Sequence, residues 1–181
     1  SNIEELIRNT MQNDNIPGVA LAIIKDNNVI ISKGFGYANL ETKVPVNSKT
    51  MFQSGSLGKQ FTSAGIMAMV EDNLIELDRS ILQYISEGPE KWKPITVRHL
   101  LTHSSGIPDY TSEEFDYSKN YTEADLVQMA SELELEFTAG ERWNYSNTGY
   151  VILGVVMSRM AGKPYWEFLK ERIFIPSGMH T

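Results

Sequence analysis

The chain has 181 residues, 41% of them hydrophobic and 22% charged, a balance that supports a folded core and excludes a disordered chain. Its formal charge of −7, without any lysine- or arginine-rich run, excludes a general affinity for nucleic-acid phosphates or anionic lipid. These residues include no cysteine, hence no disulfide, thiolate metal site or cysteine nucleophile, and the longest apolar stretches are too short to span a membrane.

In chain order, Ile3, Leu6, Ile7, Thr10 and Met11 recur at helical spacing and predict an amphipathic helix that ends by Asn13 to Pro17. "GVALAIIKDNNVIISKGFGYANL" predicts two strands joined by a tight turn at Asp26-Asn27-Asn28. Gly34 and Gly36 mimic part of a dinucleotide loop, but no third glycine or helix follows, so a twisted strand end is expected. Residues 39–51 are polar, contain Pro45 and read as a connection.

From Ser56 to Val70 apolar residues cover more than one helix face, which predicts a helix buried on several sides. Gly58 and Gly65 lower helix propensity there and imply close approach of another element. "EDNLIELDRSILQYI" ends this helix and starts a short one, and "ITVRHLLTHSSGIPDY" predicts a helix stopping at Ser104-Ser105-Gly106. Residues 111–121 show no periodicity, whereas 122–133 predict a helix. "FTAGERWNYSNTGY" reads as a loop into a helix from about Thr148 to Met160, ended by Gly162, and Pro164 opens a last helix to about Ile173. No convincing third strand follows residue 37; "ELELEF", 132–137, alternates but is short and acidic.

The chemistry concentrates in two places. In "FQSGSLGKQF" Ser56 and Lys59 lie three apart, on one face of a starting helix, so the amine can approach the hydroxyl. The helix dipole favours a developing alkoxide at Ser56, and a lysine desolvated in a helical core has a lowered pKa and can serve as a base. A serine cap beside a solvated lysine explains the same four residues. The segment "NYSN" adds Tyr145 and Asn147, two apart on one side of an extended stretch just before a helix. A phenol near an ammonium can pass protons, and an asparagine amide can both donate and accept.

With both motifs, the sequence resembles the serine β-lactamase and penicillin-binding protein superfamily, in its class C β-lactamase, D-alanyl-D-alanine carboxypeptidase and esterase branch. "GVALAIIKDNNVIISKGFGYAN", "FQSGSLGKQFTSAGIMAMVEDNLIELD", "ITVRHLLTHSSGIPDY", "ERWNYSNTGYVILG" and "IFIPSGMHT" all look like that family, in its order. The resemblance implies an α/β (α+β) fold with an antiparallel sheet and a mainly helical region. Residues 1–50 would supply a helix and hairpin of the sheet region, and 51–181 the helical region with both motifs. It implies that Ser56 is the acylated nucleophile, Lys59 the base, Tyr145 the proton-shuttling phenol and Asn147 the group that binds a substrate's amide side chain. It further implies a serine hydrolase working without metal or cofactor on β-lactams, D-Ala-D-Ala peptides or small esters, in an extracytoplasmic setting. A penicillin-binding receptor that stays acylated, or a scaffold, is the competing expectation.

The family's third motif, Lys-Thr-Gly or His-x-Gly on a strand facing the nucleophile, has no candidate here. Of five expected sheet strands only the first two are read in this chain. The expectation is that a further segment or a second chain completes the sheet, and that these residues alone acylate poorly. His103 and Asp109 bring a Ser-His-Asp triad to mind, but their spacing gives it no support and a structural histidine is expected. Glu132, Glu134 and Glu136 read as a solvated edge, Glu113, Glu114 and Asp116 as loop surface. Trp143, Tyr110 and Tyr117 either line a cleft mouth or pack beneath the loop.

Overall fold

The computed structural model describes residues 2–110, 115–116 and 118–179, which form two units, Ser1–Ser54 and Gly55–Thr181. In the first, helix α1 (Asn2–Asn13) precedes β1 (Gly18–Lys25), β2 (Asn28–Asn39) and β3 (Val44–Pro45), an antiparallel sheet in the order β1-β2-β3. Lys25 pairs with Asn28 across a two-residue turn whose Asp26 and Asn27 both have positive φ, 49° and 60°. That left-handed pair gives the strands their matching twist, and Asn and Asp tolerate it because their side chains bond locally; here the Asn28 amide donates to the Asp26 carbonyl at 2.9 Å.

Phe35 is the buried residue of β2, and α1 lies against its face: Lys33 bonds Glu4 at 3.0 Å, and the Arg8 guanidinium sits 5.5 Å from the Phe35 ring. The glycines of the "GxG" admit backbone at close range. A Cβ at Gly34 would collide with the Val46 carbonyl, and one at Gly36 with the Pro17 carbonyl. The strand β3 corrects the reading of residues 39–51 as pure connection and of two strands in all. Two residues carry no periodicity, and Pro45, which has no N–H, is tolerated because β3 is an edge.

The second unit is helical: α2 (Gly58–Glu71), α3 (Val97–Leu101), α4 (Glu123–Glu132), α5 (Asn147–Ala161) and α6 (Tyr165–Leu169), the last continuing as a π-helical turn over Lys170–Phe174. Helix α5 packs against α2, α3, α4 and α6, and its Ile152, Leu153, Val156 and Met157 are fully buried with Ile66 and Met69 of α2 and Leu100 of α3. The expected close approach at Gly65 occurs: a Cβ there would lie 2.7 Å from Leu169 and 2.8 Å from Met157. Helix α5 ends where Gly162 turns left-handed, φ 64°.

The alternation of 132–137 produces no strand. Helix α4 runs through Glu132, Leu133 is extended, and a single ladder-like bond joins the Glu136 N–H to the Gly106 carbonyl at 2.9 Å. Gly106 has φ 78°, and a Cβ there would strike the Phe137 carbonyl. Gly106→Ala is therefore expected to destabilise the protein by about 1–3 kcal/mol, read as a lower urea midpoint at unchanged slope. An unchanged midpoint would mean the loop relaxes freely.

Candidate active site

Ser56 lies in a 3₁₀ turn, Gly55–Leu57, that runs directly into α2, so the nucleophile candidate precedes the α-helix by two residues instead of opening it. Its backbone N–H comes before the first intrahelical donor and is open to another acceptor. Lys59, the second residue of α2, reaches back one turn and donates from Nζ to Ser56 Oγ at 3.3 Å. The Tyr145 and Ser56 hydroxyls share a 2.7 Å hydrogen bond across 89 residues of sequence. Lys59 Nζ also donates to Asn147 Oδ1 at 2.6 Å and stands 4.9 Å from the Tyr145 ring centroid and 5.5 Å from that of Tyr150. All four residues singled out from sequence meet in one network.

The electrostatics are set by the ammonium. Hydrogen bonding from Lys59, and then from Ser56, lowers the Tyr145 phenol below its usual range, against a smaller opposing effect of burial. The phenol thereby ionises more readily than an isolated tyrosine, and the phenolate is the form able to accept a proton. Tyr145 is 37% exposed.

A model of the family described as Beta-lactamase matches residues 3–181. The chain belongs to the beta-lactamase family. Penicillin-binding protein 4* of Bacillus subtilis is 35% identical over 84% of this chain and 34% of its own length. The octameric penicillin-binding protein homologue from Pyrococcus abyssi superposes with a TM-score of 0.89 at 33% identity, over 99% of this chain and 43% of that one. The D-amino acid amidase of Ochrobactrum anthropi SV3 superposes at 0.82 with 31% identity, over 92% and 46%. This member of the beta-lactamase family thus shares an α+β fold of the β-lactamase and transpeptidase type. It spans about a third of the length of the curated relative and under half of the two solved chains.

In this beta-lactamase-family chain the loop between α3 and α4 fixes the segment 144–148. The His103 carbonyl accepts from Asn144 N–H at 2.8 Å, His103 Nδ1 from Ser146 N–H at 3.2 Å, and Asp109 Oδ2 from Asn147 N–H at 2.9 Å. Buried Thr148 closes the clamp: its hydroxyl donates to the Pro108 carbonyl at 2.7 Å and accepts from Tyr110 N–H at 2.8 Å. Ser146 caps α5, accepting from Gly149 N–H at 3.2 Å.

His103 and Asp109 form no triad. The imidazole stacks on the Tyr145 ring at 4.5 Å, with an interplanar angle of 29°, and accepts a backbone proton at Nδ1. Burial, and then the nearby Lys59 charge, hold it below the usual histidine range. Tyr150, which the sequence did not single out, shares a 3.0 Å hydrogen bond with Ser63 and donates to the Leu101 carbonyl at 3.1 Å, tying α2, α5 and α3 beneath the lysine. None of these partners was marked by spacing, because each contact is long-range.

Trp143 stands 65% exposed, its ring centroid 6.1 Å from that of His103 in a T-shaped contact. The Tyr110 ring meets Phe115 edge-on at 4.7 Å. Tyr117, Glu113, Glu114 and His180 lie outside the described residues. Glu132 accepts from Gln128, Glu134 meets Lys91 and Glu136 accepts from Asn144, so the three acids engage separate partners instead of one cation.

Proposed function

We propose that the protein carrying this chain is a serine hydrolase that works through an acyl ester on Ser56. The observation that carries the reading is the contact of Ser56 Oγ with two proton-handling groups at once, Tyr145 at 2.7 Å and Lys59 at 3.3 Å. In that reading the Lys59 ammonium favours Tyr145 as a phenolate, and Ser56 Oγ attacks the substrate's carbonyl carbon while its proton passes to that phenolate oxygen, which becomes a neutral phenol. Base function is assigned to the Lys59–Tyr145 pair, a refinement of the expectation that gave it to Lys59 alone. The same proton then goes from Tyr145 to the departing amine or alcohol, and water hydrolyses the ester by the reverse route. The Ser56 N–H supplies one oxyanion donor, and such a donor contributes about 3 kcal/mol.

Candidate substrates share an acyl carbon beside an amide or strained lactam: β-lactams, D-Ala-D-Ala peptides, or small esters and amides. The names of the relatives, a penicillin-binding protein and a D-amino acid amidase, support penicillins and D-amino acid amides as first probes.

Incubating the protein with benzylpenicillin and following intact mass tests the proposal. An adduct mapped by peptide digestion to Ser56 is the expected result, transient for a hydrolase and persistent for a penicillin-binding receptor. No adduct with penicillins, and no turnover of D-amino acid amides or acetate esters, would overturn it.

A further inference from the structure

Asn147 lies between opposite charges. Its Nδ2 donates to Asp109 Oδ2 at 2.8 Å, and its Oδ1 accepts from Lys59 Nζ at 2.6 Å. The same Asp109 oxygen also accepts the Asn147 backbone N–H, so one atom grips both ends of the residue. A flipped amide would turn its oxygen toward the carboxylate and its two N–H groups toward the ammonium, where neither can bond. Orientation is therefore set by charge on both sides, and the amide's second N–H remains as a donor. The backbone on either side of Asp109 is held through the Thr148 hydroxyl, which accepts from Tyr110 and donates to Pro108, and Thr148 is 1% exposed.

We propose that Asp109 is a positioning residue: through Asn147 it fixes the place of the Lys59 ammonium beside Ser56. The relay runs Asp109, Asn147, Lys59, Ser56, with only the last two touching reacting atoms. It rests on the reading of Ser56 as nucleophile. The plain alternative is a carboxylate that merely caps the start of α5, which would alter stability and nothing else.

The two are separated with Asp109→Ala and Asp109→Asn, each checked for folding by circular dichroism. Positioning predicts that Asp109→Ala slows penicillin acylation by up to about 100-fold at temperatures where it remains folded. Asp109→Asn keeps the shape but removes a charge that raises the Tyr145 phenol and the His103 imidazole. Its acylation-versus-pH curve should therefore rise at lower pH than that of the parent. Should Asp109→Ala fail to fold, the Asn147 side-chain resonance in Asp109→Asn decides. A lower melting temperature with parental acylation rate and pH curve in the folded variants would overturn the proposal.

A reaction-free readout keeps this distinct from the assignment of function. The Asn147 side-chain NH₂ resonance, identified by its loss in Asn147→Ala, should carry one downfield, slowly exchanging proton that vanishes in Asp109→Ala. Its persistence there would refute the positioning role even if Ser56 is acylated. Its disappearance would uphold that role even if no substrate is found.

Discussion

Lys59→Ala is expected to slow acylation of Ser56 by about 10³-fold or more, within the range set by losing a positioned acid–base group. The variant removes three things together: the donor to Ser56 Oγ at 3.3 Å, the donor to Asn147 Oδ1 at 2.6 Å, and the cation that lowers the Tyr145 phenol. The lysine is half-buried over the Tyr145 and Tyr150 rings, so part of any loss could come from packing. Lys59→Met separates the two effects, since it keeps the apolar stem and deletes only the ammonium. Both variants should label with fluorescent penicillin at similarly reduced rates. Parental labelling by either one would remove Lys59 from the chemistry.

Tyr145→Phe is expected to cost about 10²- to 10⁴-fold in the same assay. Phenylalanine retains the ring that stacks on His103 at 4.5 Å, so the loop should hold its shape and the loss should report the missing oxygen. The sign of the pH dependence follows from the lowered phenol. As pH rises, the phenol ionises and becomes the acceptor of the serine proton, so the parental rate climbs. The midpoint of that climb should fall below about 10, the ordinary phenol value. In Tyr145→Phe the climb should disappear. A variant retaining both rate and climb would place the acceptor elsewhere.

The hairpin and the helices were legible because their signals are local. Asp26-Asn27 specifies a left-handed turn whatever surrounds it, and α5 announces itself by an apolar run between a serine cap and Gly162. Ser56 and Lys59 were legible as neighbours one turn apart, but a serine cap beside a solvated lysine explained them until the second motif joined them. Tyr145 and Asn147 took their meaning from resemblance, since nothing in their spacing shows that they return to Ser56 across 89 residues. The two-residue strand at Val44–Pro45 was invisible because pairing, not pattern, makes it a strand. His103 reads as a structural histidine, as it is, but its partners and those of Asp109 were not foreseen. Their partners lie 43 and 38 residues downstream, and the left-handed backbone at His103, φ 56°, is a tertiary demand no composition reports. The alternation in 132–137 reads as no convincing strand and forms none, because period two without a neighbouring strand specifies nothing.

Helix α5 joins roles that many folds keep apart: its first turn presents Asn147, Thr148 and Tyr150, and its later turns are the most deeply enclosed of the unit. A slip of one residue along its axis would rotate every side chain by about 100°. The interior and the reagents would lose register in the same instant. Under the proposed mechanism, a change along this rod would disturb close packing and proton transfer together. Under that same proposal, substrate range would be more readily altered through the surrounding loops than through α5.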